Sequence, residues 1–162
     1  CTLIDNGMPC IIMKASDVGA TGYESRDELD AADDLKARIE AIRLAAGERM
    51  NLGDVTEKSV PKMMLVAPPR NGGAITVRSF IPHRAHASVG VLAAVTVATA
   101  ALIDGTPVVE VADVPAGSSK TLSVEHPTGE TTCVMEVDTT GNVTSAAMLR
   151  TARKLMDGEI FA

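Results

Sequence analysis

Residues 79–105 read SFIPHRAHASVGVLAAVTVATAALIDG, and the reading of this stretch decides the fold. Two histidines and an arginine, His83, Arg84 and His86, stand directly before sixteen residues, Ser88 to Ile103, that carry no charge. Such a stretch could be a membrane anchor with a basic flank, a metal site, or a buried helix whose first turn holds an anion. The anchor fails on length. A span needs about 20 apolar residues, whereas this run is interrupted by Thr96 and Thr99 and stopped by Asp104-Gly105 and Pro107. No membrane partner is therefore expected. A metal site built from all three histidines (His83, His86 and His126) has no recognised ligand spacing, and Arg84 would repel the cation.

A buried helix suits the run better. Val89, Val91, Leu92, Val95, Val97, Leu102 and Ile103 point in every direction, as in a helix enclosed on all sides. Gly90 and the alanines keep the cylinder thin, at a length of about 24 Å. The β-branched residues are weak helix formers, so packing must hold it, and a buried strand pair is the competing assignment. In the helical reading Ser88 is the N-cap. The first N–H groups have no intrahelical partner and the dipole is positive there, so Arg84, His83 and His86 would complete an anion site.

Outward from this stretch, TLIDNGMPCIIMK (2–14) reads as two strands hinged at Asn6-Gly7, followed by loop and short turns over 15–29. Helical spacing of Leu35, Ile39, Ile42 and Met50 predicts a helix over about 30–50, with Asp33, Lys36, Arg38, Glu40 and Arg43 on its solvated face. Strands are expected over 60–67, 74–80, 122–125 and 131–137, with mixed strand and loop over 107–117. Residues 142–161 are helical by composition but equally readable as a strand after Gly141-Asn142. The layout is α+β, one apolar helix surrounded by sheet.

Composition narrows function. Acidic residues outnumber basic ones by 21 to 15 and aromatics are 2% of the chain, which argues against nucleic-acid binding. Any anion site must be local. The three cysteines, Cys1, Cys10 and Cys133, match no metal spacing and suggest a reducing, cytoplasmic setting.

The phrases TLIDNGMP (2–9), SDVGATGYES (16–25), ARIEAIRLAAGERM (37–50), PKMMLVAPPR (61–70), VRSFIPHRAHASVGVLAAV (77–95), LSVEHPTGE (122–130) and LRTARKLMDGEIF (149–161) together resemble the PrpF-like isomerases, and within them the 4-oxalomesaconate tautomerases of aromatic-acid degradation. The resemblance spans the chain but only the second half of such an enzyme. It implies that residues 1–162 are one C-terminal-type domain of a two-domain protein whose N-terminal domain is not in this chain. The implied fold is diaminopimelate epimerase-like, an antiparallel sheet or barrel around a central apolar helix at about residues 87–103, with Asn142 to Arg153 as a strand.

The implied chemistry is an allylic proton shift on an unsaturated tricarboxylate, needing no cofactor and no metal. The resemblance places substrate at the turn of Asn6, Gly7 and Met8, at His86 and Ala87, at the N–H groups of Ser88 and Val89, and at the turn of His126, Thr128 and Gly129. With His83 and Arg84 these are the candidate substrate-binding residues. The family's proton-transfer Lys and Cys belong to the other half, so no catalytic residue is assigned here. The related epimerases carry a cysteine in each domain, whereas Ala87-Ser88 stands at this helix mouth. Expected partners are the tricarboxylate, the N-terminal domain and a possible homo-oligomer. The alternative is a non-catalytic binding or assembly domain of the same fold, distinguished by ligand-insensitive self-association.

Overall fold

The structure, a computed structural model, describes residues 1–159. Seven strands form one sheet in chain order: β1 (Thr2–Asp5), β2 (Pro9–Lys14), β3 (Lys62–Ala67), β4 (Ile75–Phe80), β5 (Ser119–His126), β6 (Gly129–Val137) and β7 (Val143–Met148). Hairpin neighbours are antiparallel, but β2 with β3 and β4 with β5 run parallel. The sheet is thus mixed, which corrects the wholly antiparallel expectation. A parallel neighbour requires a long crossover, and the crossovers carry the helices: α1 (Arg26–Ala31) and α2 (Asp33–Arg49) between β2 and β3, α3 (Val91–Ala100) between β4 and β5.

The two crossovers occupy opposite faces of the sheet, and strand alternation sorts the core between them. Cys10, Ile12, Met64, Val66, Ile75 and Val77 pack against α3, together with Leu122, Val124, Cys133 and Met135. Ile11, Met13, Met63, Leu65 and Phe80 pack against Leu29 and Ile39 on the α1–α2 side. Strands β3 and β4, covered on both faces, are therefore almost continuously buried. The sheet curls so that β1, β2, β5, β6 and β7 all reach α3. This is the sheet wrapped around a central apolar helix that the sequence led us to expect.

The helix is shorter than expected, Val91–Ala100 instead of about 87–103, and Gly90 is its N-cap instead of Ser88. Ser88 is already engaged: its N–H donates to His86 Nδ1 and its hydroxyl meets His126 Nε2. At the other end the Thr106 hydroxyl donates to the Ala100 carbonyl and closes the helix. Enclosure is incomplete too. Ala94, Val97, Ala98 and Ala100 are fully buried, but Val91 and Leu92 in the first turn are 53% and 46% exposed. The first turn stands at the rim of the curled sheet.

Other boundaries also moved. The expected 30–50 helix is α2, and a separate short helix, α1, starts inside the expected loop, where Ser25 and Glu28 form a capping box. Arg43, expected on the solvated face, is completely buried. Its guanidinium donates to both Glu40 carboxylate oxygens and to the carbonyls of Val55, Lys58 and Val60, so the charge is paired and the donors are used. Residues 107–117 are turns and irregular chain without strand. The strand implied for Asn142 to Arg153 ends at Met148, and residues 160–161 of the ambiguous segment lie outside the described ones. No helix among the described residues is long and apolar enough to cross a membrane.

Candidate active-site cavity

Alternation along two neighbouring strands starts the site. On β3, Lys62 shares the face of Met64 and Val66; on β4, Ser79 shares the face of Ile75 and Val77. Both polar residues therefore extend an apolar row toward the first turn of α3. Beyond β4 the chain makes a tight turn, with the Ile81 N–H donating to the Arg84 carbonyl at 2.9 Å and a bridge between Phe80 and Ala85. The His86 N–H then donates to the Ser79 carbonyl at 2.8 Å. That bond returns His86 to the side of Ser79.

A cavity of about 280 Å³ opens where these pieces meet. Gly90, Val91, Leu92 and Ala93 supply the helix end, His86, Ser79 and Lys62 the polar groups, and Met8 and Ile81 the apolar rim. Ala94 is the first residue whose N–H reaches back along the helix, to the Gly90 carbonyl at 2.8 Å. The N–H groups of Val91, Leu92 and Ala93 thus have no intrahelical acceptor, and no side chain caps this end. The helix dipole adds positive potential there. In a chain with an acidic excess, the cavity lining contains no Asp or Glu.

Two side chains sharpen this potential. Burial draws the Lys62 ammonium below the usual lysine range; Cys10 opposes that shift and the Arg43 charge reinforces it. No carboxylate is among its influences. His86 Nδ1 accepts from the Ser88 N–H at 2.9 Å, which leaves the proton of the neutral ring on Nε2. The ring is thereby fixed as a donor at the cavity wall.

The turn between β5 and β6 supports this mouth from outside. His126 Nε2 lies 3.2 Å from the Ser88 hydroxyl, and the Thr128 hydroxyl donates to the Ala87 carbonyl at 2.8 Å. Gly129 takes φ +145° at the turn, a conformation that favours glycine. Burial holds His126 below the usual histidine range; its bond with the Glu130 backbone opposes this, and Arg78 and His86 nearby add to it. Six of the candidate residues, His86, Ala87, Ser88, His126, Thr128 and Gly129, come together, and of these six His86 alone lines the cavity.

The remaining candidates divide. Met8 lines the cavity, and Gly7, at φ +83°, lies against Leu92. Asn6 instead donates its amide to the Thr99 hydroxyl at the far end of α3. The Val89 side chain is buried in the core. The expected donors Ser88 and Val89 give way to Val91, Leu92 and Ala93, since the Ser88 N–H is spent on His86.

His83 and Arg84 occupy the exposed tip of the preceding turn. His83 Nδ1 is 3.6 Å from Glu40 on α2, and Arg84 is absent from the cavity lining. The bond pattern of the Ile81–Arg84 turn carries them away from the helix mouth. Lys62 and Ser79, which sequence reasoning passed over, take their place. The period-two pattern of KMMLVA and ITVRSF was the signal that could have found them.

The described residues contain no group of three or more His, Cys, Asp or Glu placed to share a metal ion. Cys10 and Cys133 are buried, which pushes their thiols up to about 12 and about 11; the Thr96 hydrogen bond only partly offsets the effect at Cys10. Neither thiol is poised as a nucleophile or a proton carrier.

Comparison with known proteins agrees with this architecture. The profile of the PrpF protein family matches residues 1–162. A (4E)-oxalomesaconate Delta-isomerase of Novosphingobium sp. (strain KA1) is 76% identical over 99% of this chain and 45% of its own length. A 4-oxalomesaconate tautomerase of Pseudomonas putida is 51% identical over 98% of this chain and 44% of its own length. A crystal structure of methylitaconate-delta-isomerase superposes with a TM-score of 0.85 at 26% identity, covering 97% of this chain and 45% of that one. The chain therefore spans just under half the length of the relatives it matches. It belongs to the PrpF family.

Proposed function

We propose that this chain forms the carboxylate-binding half of an isomerase active site, closed by an N-terminal domain that supplies the proton-transfer groups. The complete enzyme moves a proton across a three-carbon allylic unit of an unsaturated tricarboxylate. The names of its relatives favour 4-oxalomesaconate as substrate. The observation that carries the reading is the acid-free cavity at the first turn of α3, with free N–H groups, a donor imidazole and a lysine converging on it. Removing a proton beside a carbonyl or carboxylate places negative charge on oxygen. Fixed donors aimed at that oxygen lower the barrier because they need no reorganisation as the charge develops.

In this scheme the N–H groups of Val91, Leu92 and Ala93 and the His86 Nε2–H bind and orient carboxylates, while Met8, Ile81 and Leu92 exclude water from the reacting carbons. The half-exposed apolar groups Val91, Leu92 and Ile81 at the rim suit coverage by a second domain. The test is incubation of the complete enzyme with 4-oxalomesaconate in D2O, followed by proton NMR. The expected result is migration of the carbon–carbon double bond across the three-carbon unit, with deuterium entering the carbon that gains the proton. An unaltered substrate spectrum at high enzyme concentration would remove the reading and leave a binding domain.

A further inference from the structure

We propose that Lys62 is the cation of this cavity: from a lining it shares with Ser79 and His86, its ammonium forms an ion pair with one substrate carboxylate. This assignment rests on the substrate-site reading above and adds a residue to it. Three observations support it independently of the helix end. Lys62 opens β3 on the same face as Met64 and Val66, which pack against α3, and it lines the cavity at the end of that row. Its register partner on β2 is Cys10, a buried thiol that offers no anion at neutral pH.

Among the described residues no acid lines the cavity to hold the ammonium. An ammonium partly withdrawn from water without a counter-ion is unfavourable unless a bound anion completes it. A tricarboxylate is such an anion. The neighbouring groups grade the fit: the Ser79 hydroxyl and the His86 Nε2–H can bind the same carboxylate or its neighbour, so one face of the substrate meets only donors.

The experiment uses the complete enzyme and compares Lys62→Met, Lys62→Gln and Lys62→Arg with the His86→Asn variant and with Arg84→Ala as control. Loss of a charge-assisted contact predicts a KM roughly 10- to 100-fold higher in Lys62→Met and Lys62→Gln, with kcat changed less. Partial rescue is expected in Lys62→Arg. Melting temperatures of the neutral variants should hold or rise, because an unpaired, partly buried charge has been removed. Calorimetric titration with propane-1,2,3-tricarboxylate should show the same loss of affinity.

Arg84→Ala should match the wild type. A KM within two-fold of wild type in both neutral variants, with KM raised in His86→Asn, overturns the Lys62 assignment and leaves the site. Wild-type KM in the neutral Lys62 variants and in His86→Asn alike overturns the site itself.

Discussion

His86 carries two separable hydrogen-bonding roles, and replacing it by two different amides separates them. Nδ1 accepts from the Ser88 N–H at 2.9 Å and braces the loop before α3, which leaves Nε2–H as the free donor of a ring that lines the cavity. Asparagine can place its amide oxygen near the Nδ1 position and keep the brace, but it has no group at Nε2. Glutamine reaches the Nε2 position with its amide nitrogen and abandons the brace. A hydrogen bond to a charged acceptor contributes about 1.5–3 kcal/mol, which is roughly 10- to 150-fold in kcat/KM at about 1.4 kcal/mol per decade.

His86→Asn should therefore lose about that much kcat/KM, with stability inside about 0.5 kcal/mol of wild type. His86→Gln should keep most of its kcat/KM and lose about 1 kcal/mol of stability from the broken loop bond. Steady-state kinetics on the complete enzyme and urea unfolding measure the two quantities on the same preparations. Wild-type kinetics in His86→Asn, with impaired kinetics in His86→Gln, would refute the reasoning and reduce His86 to a loop brace.

Glu125 is 4% exposed and organises the loop before β4, with Oε1 accepting from the Asn71 and Gly73 N–H groups and Oε2 from the Arg70 N–H and the Thr76 hydroxyl. Burial pushes its carboxyl up, but these donors together outweigh burial and hold it below the usual range. Glu125→Gln turns the amide nitrogen toward another donor, so urea unfolding should show a loss of about 1–3 kcal/mol with an unchanged m-value. Asp138 is held down from 3.8 to about 2 by the Thr140 hydroxyl and the Asn142 N–H. Its stabilisation of the β6–β7 turn is fully present above about pH 4 and lost as pH falls toward 2; an NMR titration of its carboxyl checks the value, and Asp138→Asn should flatten that part of the pH–stability profile. Gly47→Ala gains up to about 1 kcal/mol of helix propensity. Its new Cβ would lie 2.7 and 2.9 Å from the Val55 methyls, whose residue is fixed through its carbonyl by Arg43. Overpacking of about 1–3 kcal/mol should therefore win, giving a lower melting temperature.

The apolar helix was legible because sixteen uncharged residues too short for a membrane leave few other places to go. The hairpins at Asn6-Gly7 and at His126-Pro127-Thr128-Gly129 were legible from turn chemistry. Local pattern could not reveal which strands run parallel, since β2–β3 and β4–β5 pairing depends on where the crossovers travel. It also misjudged polar residues whose partners are distant in sequence. Ser88 has the chemistry of an N-cap, yet it is captured by His86 and by His126, 38 residues away.

Arg43 looked solvated because its ligands, the carbonyls of Val55, Lys58 and Val60, follow 12 to 17 residues later. The same limitation exchanged Arg84 for Lys62 at the site. Proximity in sequence favoured Arg84 at the helix mouth, whereas strand pairing carries Lys62 there from 29 positions before Val91.

The central claim is that carboxylates bind in the cavity at the first turn of α3. Its most direct test is a crystal structure of the complete enzyme soaked with propane-1,2,3-tricarboxylate, with calorimetry at matching concentrations. The expected density is a carboxylate within hydrogen-bond distance of the N–H groups of Leu92 or Ala93, the His86 Nε2 and the Lys62 ammonium. A tricarboxylate bound instead at the His83–Arg84 turn, with this cavity left empty at saturation, would contradict it.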